Sequence, residues 1–406
     1  MGAFAVYRPI IAASVKNCCF ISRFVLKYII KKISTGGLEM KKSKVLKIIL
    51  IIALTLIILC VIGFIAFFKY FTVPVGKYPD KARRQEFVKL SEQYHDGKFF
   101  NEEDHTDVSA TVNVGGFKQP EKLIPTEKLS SIEPASADKM NISWLGHSSA
   151  FVQIGGENVL IDPILTTSGK PLQMYSLPAR ISEMPLNIDD VPEIGVLCIS
   201  HDHFDHLDYG TVKAIDSKVS DYVVPLGVDS LLESWDVNKD KIHTLGWWGS
   251  AEIRGVTYTL TPAQHYSGRF AGKQFQTLWG GIYMSSSSHS LYFTGDSGYC
   301  DSFSEIYERL GEPEVMLADS GQDSPAWSHM SPEEVVKAAQ DVHAKYVVPV
   351  HWGAYLYAGY DWYKPAEDIL AAADKSGTTV ITPVIGHLFS IDDADTQVSH
   401  WWEEHK

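Results

Sequence analysis

The sequence predicts an α/β protein: two β-sheets with helices on their outer faces, an αβ/βα sandwich, preceded by an N-terminal transmembrane helix. Three observations predict it. Residues 48–68 form a run of 21 residues without a charge, long enough to cross a bilayer as a helix. From residue 141 onward, apolar strand-like runs come first and then alternate with helical patterns, which suits two sheets flanked by helices. Residues 201–206 read His-Asp-His-Phe-Asp-His directly after the apolar run 196–199, a cluster of ligand-type side chains at the end of a buried strand.

Residues 1–47 carry ten Lys/Arg and a single acid, Glu39. Lys41, Lys42, Lys44 and Lys47 directly precede the apolar run, so the positive-inside rule places them in the cytoplasm and everything after Lys69 outside, on a bacterial cell membrane. A cleaved signal peptide is the alternative. The run is longer than a typical signal core, and no A-x-A site follows it. Cys60 does not suit a lipoprotein, because bulky Leu59 precedes it. Met40-Lys-Lys-Ser-Lys resembles a natural start ahead of an anchor, so residues 1–39 are expected to be untranslated. The alternative is a basic amphipathic segment on the inner membrane surface.

Residues 69–140 read as a juxtamembrane segment. Within it 80–94 has helical spacing, with Phe87, Leu90 and Tyr94 on one face, and 130–138 is a polar linker. The body spans 141–406. Strands are expected at 142–145, 150–154, 159–161, 195–199, 222–224, 256–260, 281–284, 291–293, 315–318, 346–350 and 380–382. Helices are expected at 207–215, 227–234, 302–310, 332–342 and 364–375. Ser331-Pro-Glu-Glu334 marks a helix start, with a capping serine, proline at the first position and acids in the first turn.

The whole chain has a net charge of −13. With +9 in residues 1–47, the remainder carries −22, a poor surface for phosphate backbones. Nucleic acid is therefore excluded as a partner; a homo-oligomer is left open. Of five cysteines, Cys18, Cys19 and Cys60 lie in the N-terminal region. Cys198 and Cys300 give no disulfide framework, although a single bridge between them is conceivable.

Side chains two apart on extended backbone point the same way, so His201 and His203 can face one metal ion. After a turn, Asp205 and His206 can face a second. Imidazole and carboxylate suit zinc, and paired metals make a hydrolytic centre. Three more ligand-type residues follow apolar strands: His265, Asp296 and His351. Each alone would read as a turn residue or cap. Together they complete a set of seven.

This order, His201-x-His203-x-Asp205-His206, then His265, Asp296 and His351, resembles the metallo-β-lactamase superfamily. The runs Trp144-Leu-Gly-His-Ser148, Asp162-Pro-Ile164, Thr261-Pro-Ala-Gln-His-Tyr-Ser-Gly-Arg269, Thr277-Leu-Trp-Gly-Gly281, Gly295-Asp-Ser-Gly-Tyr299, His329-Met-Ser-Pro-Glu-Glu334 and His351-Trp-Gly353 are similar to its N-acylphosphatidylethanolamine-hydrolysing phospholipase D branch. The resemblance implies two zinc ions, with iron or manganese able to use the same ligands. His201, His203 and His265 would hold one ion. Asp205, His206 and His351 would hold the other, and Asp296 would bridge them. Asp205 would also orient the attacking hydroxide. The implied substrate is a membrane phospholipid.

Two segments depart from the lipid-hydrolase pattern: Asp319-Ser-Gly-Gln322, where the animal enzymes are more apolar, and Gly386-His387, where relatives commonly have Gly-Glu. They keep open another substrate, such as a lactone or soluble phosphodiester; a non-enzymatic metal-binding surface protein is the third reading. His147, Arg269 and His329 are candidate substrate-binding residues, against readings as a turn histidine, a surface ion pair and a helix cap. The aromatic run 352–363 suits either an acyl-chain wall or ordinary packing, and Trp247-Trp248 suits packing. Intact-mass measurement of the mature protein is expected to find a chain beginning at Met40; recovery of residues 1–39 would overturn that expectation.

Overall fold

The computed structural model describes residues 42–103, 118–130, 132–166, 179–269, 272–321, 326–356 and 360–406. The expectations for residues 1–41, for Gln322 and for part of the aromatic run, 357–359, lie outside the described residues.

The chain divides into two compact units, Met1–Lys69 and Tyr70–Lys406. The described part of the first belongs to helix α1 (Lys42–Thr72). Its stretch Leu46–Phe67 has a mean hydropathy of 3.4 and none of it is buried. Leu50, Leu54, Ile57 and Phe64 are all exposed. A helix apolar on every side is long and apolar enough to cross a membrane by length and composition.

The second unit opens with α2 (Lys81–Leu90), capped by Asp80, whose carboxylate accepts from the Arg83 amide. The helix stops four residues short of the expected end. Ser91 is extended, and Tyr94 instead enters a hairpin, β1 (Tyr94–His95) and β2 (Lys98–Phe99), closed by left-handed Asp96 and Gly97. Such a turn matches the twist of paired strands. Tyr94 still packs on Phe87, with ring centroids 5.4 Å apart, whereas Leu90 is exposed.

Next comes a meander of β3 (Asn141–Trp144), β4 (Ala150–Ile154) and β5 (Glu157–Ile161). It continues into parallel strands β6 (Ile194–Cys198), β7 (Val219–Pro225) and β8 (Ile242–Leu245). Helices α3 (Tyr209–Ile215) and α4 (Val228–Ser234) follow β6 and β7. The second sheet contains β9 (Ser250–Ile253), β10 (Val256–Thr261), β11 (Gly281–Ser285), β12 (Ser290–Phe293), β13 (Val315–Asp319) and β14 (Tyr346–Val350). It is antiparallel through β12 and parallel from β12 to β14. Helices α5 (Ser302–Leu310), α6 (Pro332–Asp341) and α7 (Lys364–Ser376) belong to this half. A short β15 (Phe389–Ser390) returns to pair with β3 in the first sheet.

The sheets meet face to face. Val152, Val159, Val196 and Val223 pack with Tyr258, Leu260, Ile282, Leu317 and Val348. Leu160, Leu197 and Tyr222 face the other way, under Val212, Leu231 and Leu232 of α3 and α4. Tyr292, Met316 and Val347 are covered by Phe303, Val335 and Ile369 of α5, α6 and α7. Four layers result, αβ/βα. Burial on both faces explains why the parallel strands read as unbroken apolar runs.

Val380 makes only an isolated bridge to Val347 in place of the expected strand at 380–382. Strands β8 and β9 escaped the sequence pattern because they are polar, partly exposed sheet edges. Cys198 and Cys300 are buried and unbridged, in different core clusters. Leu197→Ala is expected to cost about 2–5 kcal/mol by leaving a cavity under α3 and α4. Loss of the Ser331 cap of α6 in Ser331→Ala is expected to cost about 1 kcal/mol. Denaturant unfolding in detergent checks both.

Candidate metal centre

The carboxyl ends of β5, β6, β12, β13 and β14 reach one edge of the sandwich, where the connecting loops place the polar residues. In open α/β sheets this is where ligands bind. Beyond β6, the amides of His206 and Leu207 both donate to the His203 carbonyl, at 3.1 and 2.9 Å. This turn swings Asp205 and His206 away from His201 and His203.

Overlapping groups of ligand-type side chains result, two of four residues and two of three, the smaller being Asp162, His201 and His206, and Asp296, His329 and His351. His201, His203, His265 and Asp296 each offer a ligand atom, all within 4.8 Å of one another, and so do His147, Asp205, His206 and His351. His203 Nδ1 lies 2.9 Å from His201 Nε2 and 3.3 Å from His265 Nε2. Two nitrogens bound to one tetrahedral zinc sit roughly 3.4 Å apart, so the donors have about the right spacing. Asp296 Oδ2 stands between the groups. It is 3.0 Å from His206 Nε2, 3.2 Å from His351 Nε2, and 3.8 Å from His201 and His265 Nε2. His203 and Asp205 are the partly exposed members and mark the mouth of the site.

Several of these rings are held from behind. Asp162 is fully buried; its Oδ2 accepts from His206 Nδ1 at 2.7 Å and from Ser200 Oγ at 2.5 Å, while Oδ1 accepts from the Ser200 amide. His265 Nδ1 donates to the Ser328 carbonyl at 3.0 Å, leaving Nε2 with a lone pair for the cluster. His147 and His351 are both left-handed, at φ 53° and 68°, and are clamped together: the His351 amide donates to the His147 carbonyl. Gly321 passes so close that a Cβ there would come 2.3 Å from His351 Nδ1.

Burial, reinforced by neighbouring histidines, holds His201 and His265 well below the ordinary histidine range, and burial also lowers His203. His147 is pushed down to about 4, mainly by burial. For His206 and His351 burial also lowers, but Asp296 and Asp205 outweigh it and raise both well above the ordinary value. Burial raises Asp205 and Asp296, yet the surrounding histidines pull both well down. Asp296 Oδ1 is buried and accepts no hydrogen bond among the described residues. An unsatisfied buried carboxylate oxygen beside converging imidazoles fits a divalent cation.

The other expected residues are placed as follows. His147 belongs to the second group, its Nε2 donating to Asp205 Oδ2 at 3.0 Å. His329 faces the cluster edge, with Nδ1 donating to Asp319 Oδ2 at 2.8 Å; the cap of α6 is Ser331. Arg269 lies elsewhere than expected of a phosphate-binding or surface residue. It is buried under the metal loop and donates to the carbonyls of Asp202, Leu207 and Pro74, so its guanidinium is spent on main chain and not on phosphate. Trp352 and Trp362 are buried with Trp402 and packed against partly buried Trp401, which is packing. Sequence reasoning gave Asp162, Ser200 and Asp202 no role. The available signal was position: Asp162 and Ser200 also sit at the ends of strands that feed this edge.

Residues 157–352 match the family described as "Beta-lactamase superfamily domain". An uncharacterized protein of Mycobacterium tuberculosis is 34% identical over 347 residues, 81% of this chain and 92% of the relative. The N-acyl-phosphatidylethanolamine-hydrolyzing phospholipase D 1 of Caenorhabditis elegans is 28% identical over 292 residues, 67% of this chain and 82% of the relative. Among solved structures, Igni18, a metallo hydrolase of Ignicoccus hospitalis, matches with a TM-score of 0.48 and 18% identity, covering 62% of this chain and 98% of its own.

Asp162→Asn should weaken metal binding about 10–100-fold, since it loosens His206; zinc competition titration checks it. The proton dependence follows from His206 and His351. Raised groups stabilise the metal-free fold fully below the ordinary histidine value of about 6.5, and that contribution is lost as pH rises through their folded values. Metal competes with those same protons. Apparent zinc affinity should therefore rise with pH, with net proton release in calorimetry run in two buffers.

Proposed function

The chain belongs to the beta-lactamase superfamily and has the metallo-β-lactamase fold; from that membership we propose a membrane-anchored dinuclear zinc phosphodiesterase cleaving N-acylphosphatidylethanolamine or a related phospholipid. The products of this phospholipase D-type reaction are an N-acylethanolamine and phosphatidic acid. The observation that carries the reading is Asp296, whose Oδ2 lies within 3.0–3.8 Å of imidazole nitrogens from both groups. One carboxylate so placed suits two neighbouring ions. The activity named for the nematode relative supports the substrate class.

In this reading His201, His203 and His265 would hold one ion, Asp205, His206 and His351 would hold the other, and Asp296 would serve both. Zinc suits these donors, and iron or manganese could use them. When bound, such a pair lowers the pKa of water toward neutrality and offsets charge developing on a phosphoryl oxygen. The protein does the rest. Asp205 Oδ2, fixed by His147, orients the attacking water. Asp162 and the Ser328 carbonyl fix the His206 and His265 rings. His329, steadied by Asp319, meets the substrate at the cluster edge. Helix α1 tethers the hydrolase to the membrane, with the basic flank cytoplasmic and the hydrolase outside.

One observation favours a second reading. The polar Asp319–His329 pair borders the cluster where a lipid site would be more apolar, which suits a lactone or soluble phosphodiester. Purified full-length protein with zinc should release both lipid products, read by mass spectrometry. His203→Ala and Asp296→Asn should each cut the rate at least about a hundred-fold, as several kcal/mol of charge stabilisation implies. Intact lipid beside a working control, with turnover of a soluble diester, would select the second reading.

A further inference from the structure

The chain that follows α1 reaches directly into the metal loop. Asp202 lies between His201 and His203 and is fully buried. Its Oδ1 accepts from the Gly268 amide at 2.6 Å, and its Oδ2 accepts from Tyr78 Oη at 2.9 Å. The same Tyr78 oxygen accepts from the Arg269 amide at 2.7 Å. One hydroxyl thus bridges the loop carrying His201 and His203 to the loop carrying His265. Those three residues form one half of the candidate centre.

Tyr78 is itself fastened. The Lys77 amide donates to Ser234 Oγ at 2.9 Å, and Trp235 Nε1 donates to the Val73 carbonyl at 2.8 Å. Arg269 closes the arrangement from beneath. Its guanidinium donates to the carbonyls of Pro74, Asp202 and Leu207 and lies 4.0 Å from the Phe204 ring centroid. In the other half Asp162 holds His206 and His147 holds Asp205. Asp162 also reaches His201 through Ser200, whereas the Tyr78 hydroxyl, among the described residues, contacts only the loops of the first half.

We infer that Tyr78 is a positioning residue for the His201–His203–His265 half of the centre, locking its two loops together through Asp202 and the Arg269 amide. A buried carboxylate that loses a donor shifts to find another, and the flanking imidazoles shift with it. The residue touches no ligand atom and acts through Asp202. This inference rests on the dinuclear reading above, in which that half holds one ion.

The test is stepwise zinc binding to full-length protein, followed with a chromophoric competitor and paired with thermal unfolding. His203→Ala identifies which step belongs to this half. Tyr78→Phe removes one oxygen and keeps the ring. It should weaken that step about ten-fold, the lower range for groups that orient metal ligands, and leave the other within about two-fold. Asp202→Asn should weaken the same step, so the result does not hang on one variant. Equal weakening of both steps, or a lower melting temperature with both steps unchanged, would overturn the inference. Wild-type protein binding fewer than two zinc ions would overturn the dinuclear reading instead.

Discussion

A carboxylate buried among imidazoles is the constraint on which this edge of the protein turns. Asp296 has almost no solvent contact, and an isolated buried charge is costly. Its partners are therefore obligatory. They come from three loops, His201 and His206 after β6, His265 after β10 and His351 after β14, while Asp296 itself follows β12. No local stretch of chain could gather them. The two sheets must meet at a fixed distance and register for the charges to balance.

The sandwich meets that demand through its parallel strands. Val196 and Cys198 enter the core between the sheets while Leu197 packs under the helices, so the strand end that launches His201 has no freedom to slide. The same holds for β13 and β14, whose register pairs Asp319 with Val350. Large apolar cores on three levels hold the loops, and the loops hold the donors. Precision at the site is therefore a property of packing far from it.

How much of this was legible in the sequence depended on how local the information was. The seven candidate ligands were readable because they follow apolar strands, and the structure brings their side chains to one edge. The supports were less readable. Asp162 and Ser200 look like ordinary turn residues until β5 and β6 are paired. Tyr78 is more than a hundred residues from Asp202 in sequence, and no periodicity announces their contact. Arg269 was misread because charge suggests an anion, while its burial against carbonyls is a tertiary fact. Edge strands β8 and β9 were invisible because half-exposed strands carry mixed side chains.

Three of the residues at this edge, His147, Asp162 and His351, hold left-handed backbone. Each costs on the order of 1 kcal/mol relative to an ordinary conformation. The surroundings must over-determine such positions, and bound ions would be part of those surroundings. A molecule without ions would keep the strain without that compensation, and opening at this edge would then cost less than in the loaded protein. Proteases act on opened segments. The abundance of the protein in a cell would then follow metal supply, with no dedicated sensor and with degradation as the readout.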